Sequence, residues 1–282
     1  MIFVNTELMK NNLSKFLNEL EFEEKSKRTL NKYESDILKF INFINDNSVE
    51  ITKSHVLQFK THICSGIYKT SSINSYIIAL NKYLKWLGES ELTVKIIKQQ
   101  RKSSLEDVIS RSDYKRLLRY AKKMDMLNIY YIMKILASTG IRIDELKFIT
   151  VDSLKKNYIQ VNNKGKEREI TIPQNIVREL KKYCSDICIK SGYVFQGNTK
   201  DKVVCKSTVW RKMKKIAGVA RVNKSKVHAH SFRHLFAKEY MSQYNNAIEL
   251  ADILGHSSLE TTRIYTRSTS FEKRKKIEKL GF

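Results

Sequence analysis

Between Leu13 and Leu87 the apolar residues recur at steps of three and four, the spacing of one face of an α-helix. Leu30, Tyr33, Ile37, Phe40, Ile41 and Ile44 form one stripe. Val56, Phe59 and Ile63 begin a second, and Ile73, Tyr76, Ile77, Leu80, Leu84 and Leu87 form a third. Thr52 and Ser54 suit helix starts, and Gly66 and Gly88 suit helix stops. From Glu89 to Ser104 the stripe is lost, while Lys95, Lys98, Arg101 and Lys102 accumulate. The pattern predicts a helical domain over residues 1–90 and an exposed basic linker over 91–104.

Periodicity returns near Leu105. Ser112 and Asp113 offer a cap to a helix through Leu117, Leu118 and Tyr120, and Ile129 to Leu136 predicts another that turns at Ser138-Thr139-Gly140. The period then changes. Tyr158-Ile159-Gln160-Val161 and Ile170-Thr171-Ile172 read as two short strands around Asn162-Asn163-Lys164-Gly165, a hairpin signal. Helical spacing resumes after Pro173, the one proline of the chain. Few breakers and one hairpin predict a mainly α fold with a small β-sheet, its second domain covering 105–270.

Charge narrows the partner. The chain has 53 Lys and Arg against 29 Asp and Glu, a net +24. The first 102 residues hold 16 basic and 11 acidic side chains, and the remainder 37 and 18, so most of the field belongs to the second domain. Such a field calls for a polyanion, and nucleic acid is the commonest. No apolar run approaches the roughly 20 residues of a membrane span. The N-terminus lacks the basic head and apolar stretch of a secretory signal, so a cytoplasmic protein is expected. At 41% apolar, the chain is rich enough in core residues to exclude wholesale disorder. Of the four cysteines only Cys184 and Cys188 are close, and no second pair or histidine set completes a zinc site. All four are expected as reduced, mostly buried thiols.

Five segments of the second domain carry candidate chemistry. In Thr139-Gly140-Ile141-Arg142-Ile143-Asp144-Glu145-Leu146, the glycine ends one helix and Arg142 opens the next, an anion-friendly corner. Glu145, three residues on, is placed to hold the guanidinium. Lys164 or Lys166 on the hairpin can reach a phosphate or protonate a leaving oxygen. In His228-Ala229-His230-Ser231-Phe232-Arg233-His234, His230 and Arg233 share a helix face, an arrangement suited to phosphate binding with proton transfer. Spacing alone does not exclude His228 and His234. Gly255 places His256 on a turn, and Tyr265 follows nine residues later. Taken singly, each has an ordinary reading as a surface ion pair, a solvated turn lysine or a packed tyrosine.

Together and in this order, TGIRIDEL, NKGKERE, HSFRH and LGHSSLETTRIYT resemble the tyrosine recombinase, or phage integrase, family from about Leu105 to the end. The resemblance implies that Arg142 and Arg233 clamp the scissile phosphate and that Tyr265 is the nucleophile. It gives Lys164 as the acid for the leaving 5′ oxygen, His230 as the aid to proton transfer, His256 as a phosphate donor and Glu145 as a support. Two guanidiniums suit the negative charge that develops in the transition state. Neither a metal nor a cofactor is expected. Ala229 stands where the family often has proline, which alters the local turn.

The resemblance further implies a core-DNA-binding domain over 1–90. It implies a clamp of both domains around duplex DNA, and a tetramer on paired recombination sites. The tail, residues 271–282 with Phe271, Ile277, Leu280 and Phe282, is expected to dock on a neighbouring protomer. Lys206, Trp210, Arg211, Lys212, Lys214 and Lys215 read as a basic helix for DNA, with Lys166 nearby. With no domain ahead of Leu13, a simple recombinase or resolvase is favoured over an integrase that also grips separate arm sites. Two rivals are a type IB topoisomerase-like relaxer and a non-catalytic DNA-binding accessory protein.

Overall fold

The computed structural model describes residues 4–44, 49–98, 108–163, 166–256 and 258–266, together with Glu278. Lys164, the Lys166 side chain and residues 271–277 and 279–282 of the expected docking tail lie outside the described residues. The chain divides into two compact units, Met1–Arg101 and Lys102–Phe282.

The first unit is built from α1 (Thr6–Phe22), α2 (Lys27–Ile44), α3 (Lys53–Ser65) and α4 (Thr70–Trp86). The predicted stripes are its core: Ile37, Phe40, Val56, Phe59, Ile77, Leu80 and Tyr83 are all buried. Asn5 caps α1 by accepting from the Leu8 N–H at 2.8 Å. Thr52 is the N-cap of α3, as its position in the pattern predicts.

In the expected linker Glu91, Lys95, Ile96 and Lys98 are exposed, while its backbone is held against the first unit. Val94 is buried, and the extended backbone from Thr93 to Ile97 is held by two asparagines of α4. Asn81 donates to the Val94 carbonyl at 2.7 Å and accepts its N–H at 3.0 Å. Asn74 does the same for Ile97 at 2.9 Å on each side. Lys60 donates to the Lys95 carbonyl at 2.7 Å. Side-chain amides can pair with both groups of a peptide unit, so this stretch satisfies its backbone without joining a sheet.

The second unit comprises α5 (Arg111–Lys123), α6 (Leu127–Thr139), α7 (Val151–Lys156), β1 (Tyr158–Asn163), β2 (Lys166–Thr171), α8 (Gln174–Asp186), α9 (Lys206–Val219), α10 (Ala229–Tyr244), α11 (Ala247–Leu254) and α12 (Leu259–Thr262). The cap of α5 is Ser110, two residues before the predicted one, and it forms a reciprocal pair with Asp113. The hairpin is antiparallel, with Tyr158 opposite Thr171 and Asn163 opposite Lys166. Ile159, Val161, Ile170 and Ile172 are buried against Leu154, Ile176 and Leu180. A second apolar cluster joins Ala237, Met241, Leu250, Leu254 and Tyr265. This cluster fixes α10, α11 and the 3₁₀ turn Arg263–Thr266 together.

All four cysteines carry free thiols. Only Cys184 is buried, whereas Cys64, Cys188 and Cys205 are exposed, which corrects the expectation of mostly buried thiols. Among the described residues, no helix is long and apolar enough to cross a membrane.

Candidate active site

Gly140 closes α6 in the left-handed conformation, with φ at 66°. A Cβ there would lie 2.5 Å from Phe236 Cδ1 and 2.8 Å from Leu254 Cδ2. Glycine is therefore required both by the turn and by the close approach of α10 and α11. Two residues later Arg142, extended, caps the 3₁₀ turn Ile143–Phe148. Its backbone N–H donates to Glu145 Oε2 at 2.7 Å and its Nη1 to Glu145 Oε1 at 3.2 Å. Its Nη2 donates to the Gly255 carbonyl at 3.1 Å. Glu145 is fully buried, a costly place for a carboxylate unless its charge is paired. Arg168 of β2 supplies a second guanidinium, with Nη2 2.8 Å from Glu145 Oε2.

Arg233 projects from the first turns of α10 into the interior and is 1% exposed. Nη1 donates to the Gly140 carbonyl at 2.6 Å and Nη2 to the Leu254 carbonyl at 2.7 Å. One side chain thus joins the ends of α6 and α11 to the start of α10. Nε is buried with no partner, and burial, then the charge of Arg142, lowers the pKa of Arg233 to about 10. The group stays a cation at neutral pH and retains unfilled donor capacity for an anion.

Tyr265 is 5% exposed. Burial raises its pKa to about 12, against the opposing pull of the Arg233 and Arg142 charges. Its hydroxyl shares a 2.7 Å hydrogen bond with His234 Nδ1. His230 packs edge-on against His234, with ring centroids 4.3 Å apart. The His256 ring stacks towards Tyr265 at 6.5 Å, and its Nδ1 pairs with Thr262 Oγ1 at 2.7 Å. That leaves Nε2 of His256 as the nitrogen for a ligand. Burial, helped by neighbouring charges, lowers His234 and His256 to about 4. The His230 pKa also falls, first through partial enclosure of a ring whose residue still reaches solvent, then through Arg233.

Arg142, Glu145, His230, Arg233, His256 and Tyr265 therefore come together from separate segments of the second unit. The structure brings in two further groups that the sequence pattern leaves out or undecided. His234, and not His230, holds the phenol. It lies one helical turn beyond His230 on the same face, so the i, i+4 spacing was the available signal. Arg168 sits two residues before buried Ile170, on the inward face of β2. A charge at an inward position of a two-residue alternation calls for a buried partner.

The basic helix α9 buries Val209, Met213, Ile216 and Ala217 and leaves Lys206, Trp210, Arg211, Lys212 and Lys215 exposed. Lys214 differs: its ammonium bonds the Lys224 carbonyl and lies 5.4 Å from the Trp210 ring centroid. Lys206 pairs with Asp144 beside Arg142. A cleft of about 1620 Å³ reaches the start of α9 and is lined by Arg142, Asp144, Arg168, Lys206, Gly255 and His256 among others. Among the described residues no group of His, Cys, Asp or Glu is placed to hold a metal ion.

Comparison with known proteins finds relatives along both units. Residues 107–272 match the phage integrase family, and residues 13–90 match the N-terminal SAM-like domain of phage integrases. The chain is 30% identical to tyrosine recombinase XerA of Pyrococcus furiosus, over 95% of this chain and 93% of that protein. It is 24% identical to tyrosine recombinase XerD of Rhizobium meliloti, over 84% of each. The crystal structure of XerA recombinase matches with a TM-score of 0.53 at 26% identity, covering 97% of this chain and 99% of that one. The XerH recombinase in a post-cleavage complex with palindromic difH shares the fold, with a TM-score of 0.73 at 21% identity over 96% and 86% of the two chains.

Proposed function

The chain belongs to the phage integrase family, the tyrosine recombinases, and from that premise we propose that it cuts and rejoins duplex DNA at a specific site through Tyr265. The observation that carries this reading is the convergence of one buried phenol with two guanidiniums and three imidazoles. In the reaction, Tyr265 Oη bonds to phosphorus as the bond from phosphorus to the 5′ oxygen breaks. The phenol loses its proton and the leaving oxygen gains one. The product is a 3′-phosphotyrosyl ester and a free 5′ hydroxyl. A phenol near pKa 12 is a poor nucleophile in the resting protein, so the field of Arg142 and Arg233 serves it as well as the phosphorus centre. His230 assists the departing phenol proton, and His256 Nε2 donates to the phosphate. Lys164 is the acid for the 5′ oxygen, with Lys166 as the alternative.

On DNA, the two units hold the duplex as a clamp, with α9 against the backbone and four protomers on paired sites. The tail of residues 271–282 docks on a neighbouring protomer. Integration, excision and the resolution of cointegrates or dimers are the settings such chemistry serves, in the cytoplasm. The match of the SAM-like domain over residues 13–90 favours recombination over simple relaxation of supercoils.

The test begins by selecting bound sequences from a random duplex pool. The selected duplex, nicked next to the scissile position, is then mixed with protein and run on a denaturing gel. A covalent adduct is expected, lost in Tyr265→Phe while binding is retained. An adduct that survives Tyr265→Phe overturns the assignment of the nucleophile. Relaxation of plasmid without site preference would favour the topoisomerase-like rival.

A further inference from the structure

Arg168 lies within the NKGKERE segment but takes none of the roles that the resemblance assigns, yet it is more enclosed in the site than Arg142. Its side chain is 15% exposed, against 36% for Arg142. Three observations locate it. First, Glu145 divides its carboxylate: Oε1 takes Arg142 Nη1, and Oε2 takes the Arg142 backbone N–H and Arg168 Nη2. Second, the Arg168 side chain lies where a Cβ on residue 255 would be, with Cδ 2.9 Å from that position. The Gly255 carbonyl is the acceptor for Arg142 Nη2. Arg168 thus packs against both groups that hold the Arg142 guanidinium, the carboxylate on one side and the Gly255 peptide on the other. Third, Arg168 stands on β2, opposite Val161, in the hairpin that β1 and β2 form.

From this geometry we infer that Arg168 is a positioning residue, which fixes the Arg142 fork for the phosphate and ties the hairpin to it. The inference rests on the recombinase reading given above. Glu145 takes one contact from the Arg142 guanidinium and one from its backbone N–H. Arg168 on Oε2 adds a restraint on the carboxylate that holds Arg142. Pre-organisation of this kind matters because charge on the non-bridging oxygens develops only at the transition state. A flexible arginine would bind DNA equally well and cleave it slowly.

The experiment uses the full chain and the selected, nicked duplex, with single-turnover adduct formation as the rate. Two substrates are compared: the ordinary phosphodiester, and the same duplex with a neutral methylphosphonate at the scissile position. Arg168→Met is expected to slow the phosphodiester about a hundredfold, with DNA affinity unchanged. On the methylphosphonate, which has one charge fewer to stabilise, the loss should fall below about tenfold. Combined with Arg142→Ala, Arg168→Met should add little further loss. Arg168→Lys keeps the charge without the fork and should recover part of the rate.

An equal deficit on both substrates, or additive losses in the double variant, overturns the inference in favour of a merely structural ion pair. Should Arg168→Met fail to fold, Arg168→Lys carries the same two-substrate comparison, and the same outcomes support or overturn the inference. Wild-type protein that forms no adduct overturns the recombinase reading and takes this inference with it. Wild-type protein that cleaves, beside an Arg168→Met variant of equal rate, overturns this inference alone.

Discussion

His234 Nδ1 stands 2.7 Å from the Tyr265 hydroxyl, and the His230 ring packs edge-on against the His234 ring. The phenol is thereby held by a group one helical turn away from the histidine that the family resemblance would assign to it. A pKa of about 4 makes His234 a neutral ring across the physiological range. Facing a phenol near 12, it is a weak proton acceptor and a good hydrogen-bond partner.

Orientation is therefore its expected service, and substitution separates orientation from proton transfer. His234→Asn places an amide atom close to where Nδ1 lies and can still pair with the phenol, but it cannot take up a proton. It should form the covalent adduct within about tenfold of the wild-type rate, whereas His234→Phe, with no partner for the hydroxyl, should lose about a hundredfold. Adduct kinetics on the nicked duplex check this. Equal, severe losses in both would make His234 the base.

The same histidines set a pH dependence of stability. His228, His230, His234 and His256 all have lowered pKa values, with burial as the first cause. The unfolded chain takes up protons below about pH 6.5. The folded one resists them until about 4 at His234 and His256. Between these limits the unfolded state binds more protons, so stability falls as the pH drops, and it is fully present above the unfolded value. Thermal unfolding of the second unit should shift down by several degrees between pH 7.5 and 5. His234→Asn should make that shift smaller, and an unchanged shift would remove His234 from the effect.

The apolar stripes made most of the fold legible, because a buried helix face needs only regular spacing. Ile37, Phe40 and Ile77 are core in the structure for the reason that their steps predict. The segment from Thr93 to Ile97 was not legible. Its backbone is satisfied by Asn74 and Asn81, and no local pattern announces which side chains will reach it. The site divides in the same way. Arg142, Arg233 and Tyr265 are found by motif order, while Arg168 and His234 act through contacts made only when distant segments meet.

Gly255 tests how tightly those segments meet. It ends α11 in the left-handed conformation with φ at 61°, and it leaves room for the Arg168 guanidinium. Gly255→Ala adds backbone strain and a collision at once, so it should destabilise the second unit by more than about 1 kcal/mol. It should also slow cleavage, since Arg142 loses the geometry of its carbonyl acceptor. Gly88→Ala is the control. It also has a positive φ, but a Cβ there meets nothing within 4 Å, so it should show the strain without the loss of cleavage.

The basic helix α9 makes a separate prediction, one about salt. Arg211 and Lys212 are exposed, outside the buried stripe of Val209, Met213, Ile216 and Ala217, and neither is needed to pack the unit. If they neutralise DNA phosphates, each releases condensed counterions on binding. The slope of log K against log salt should then become shallower by about 0.9 for each residue neutralised by substitution. Arg211→Gln and Lys212→Gln together should therefore flatten the slope by nearly two and weaken binding on every sequence alike. Lys214 is the internal comparison. Its ammonium already serves the Lys224 carbonyl, so Lys214→Gln should change the slope less than either neighbour and cost more in stability. Titrations from low to moderate salt on specific and random duplexes measure all three. A slope unmoved by the paired substitution would put the DNA on another face of the second unit.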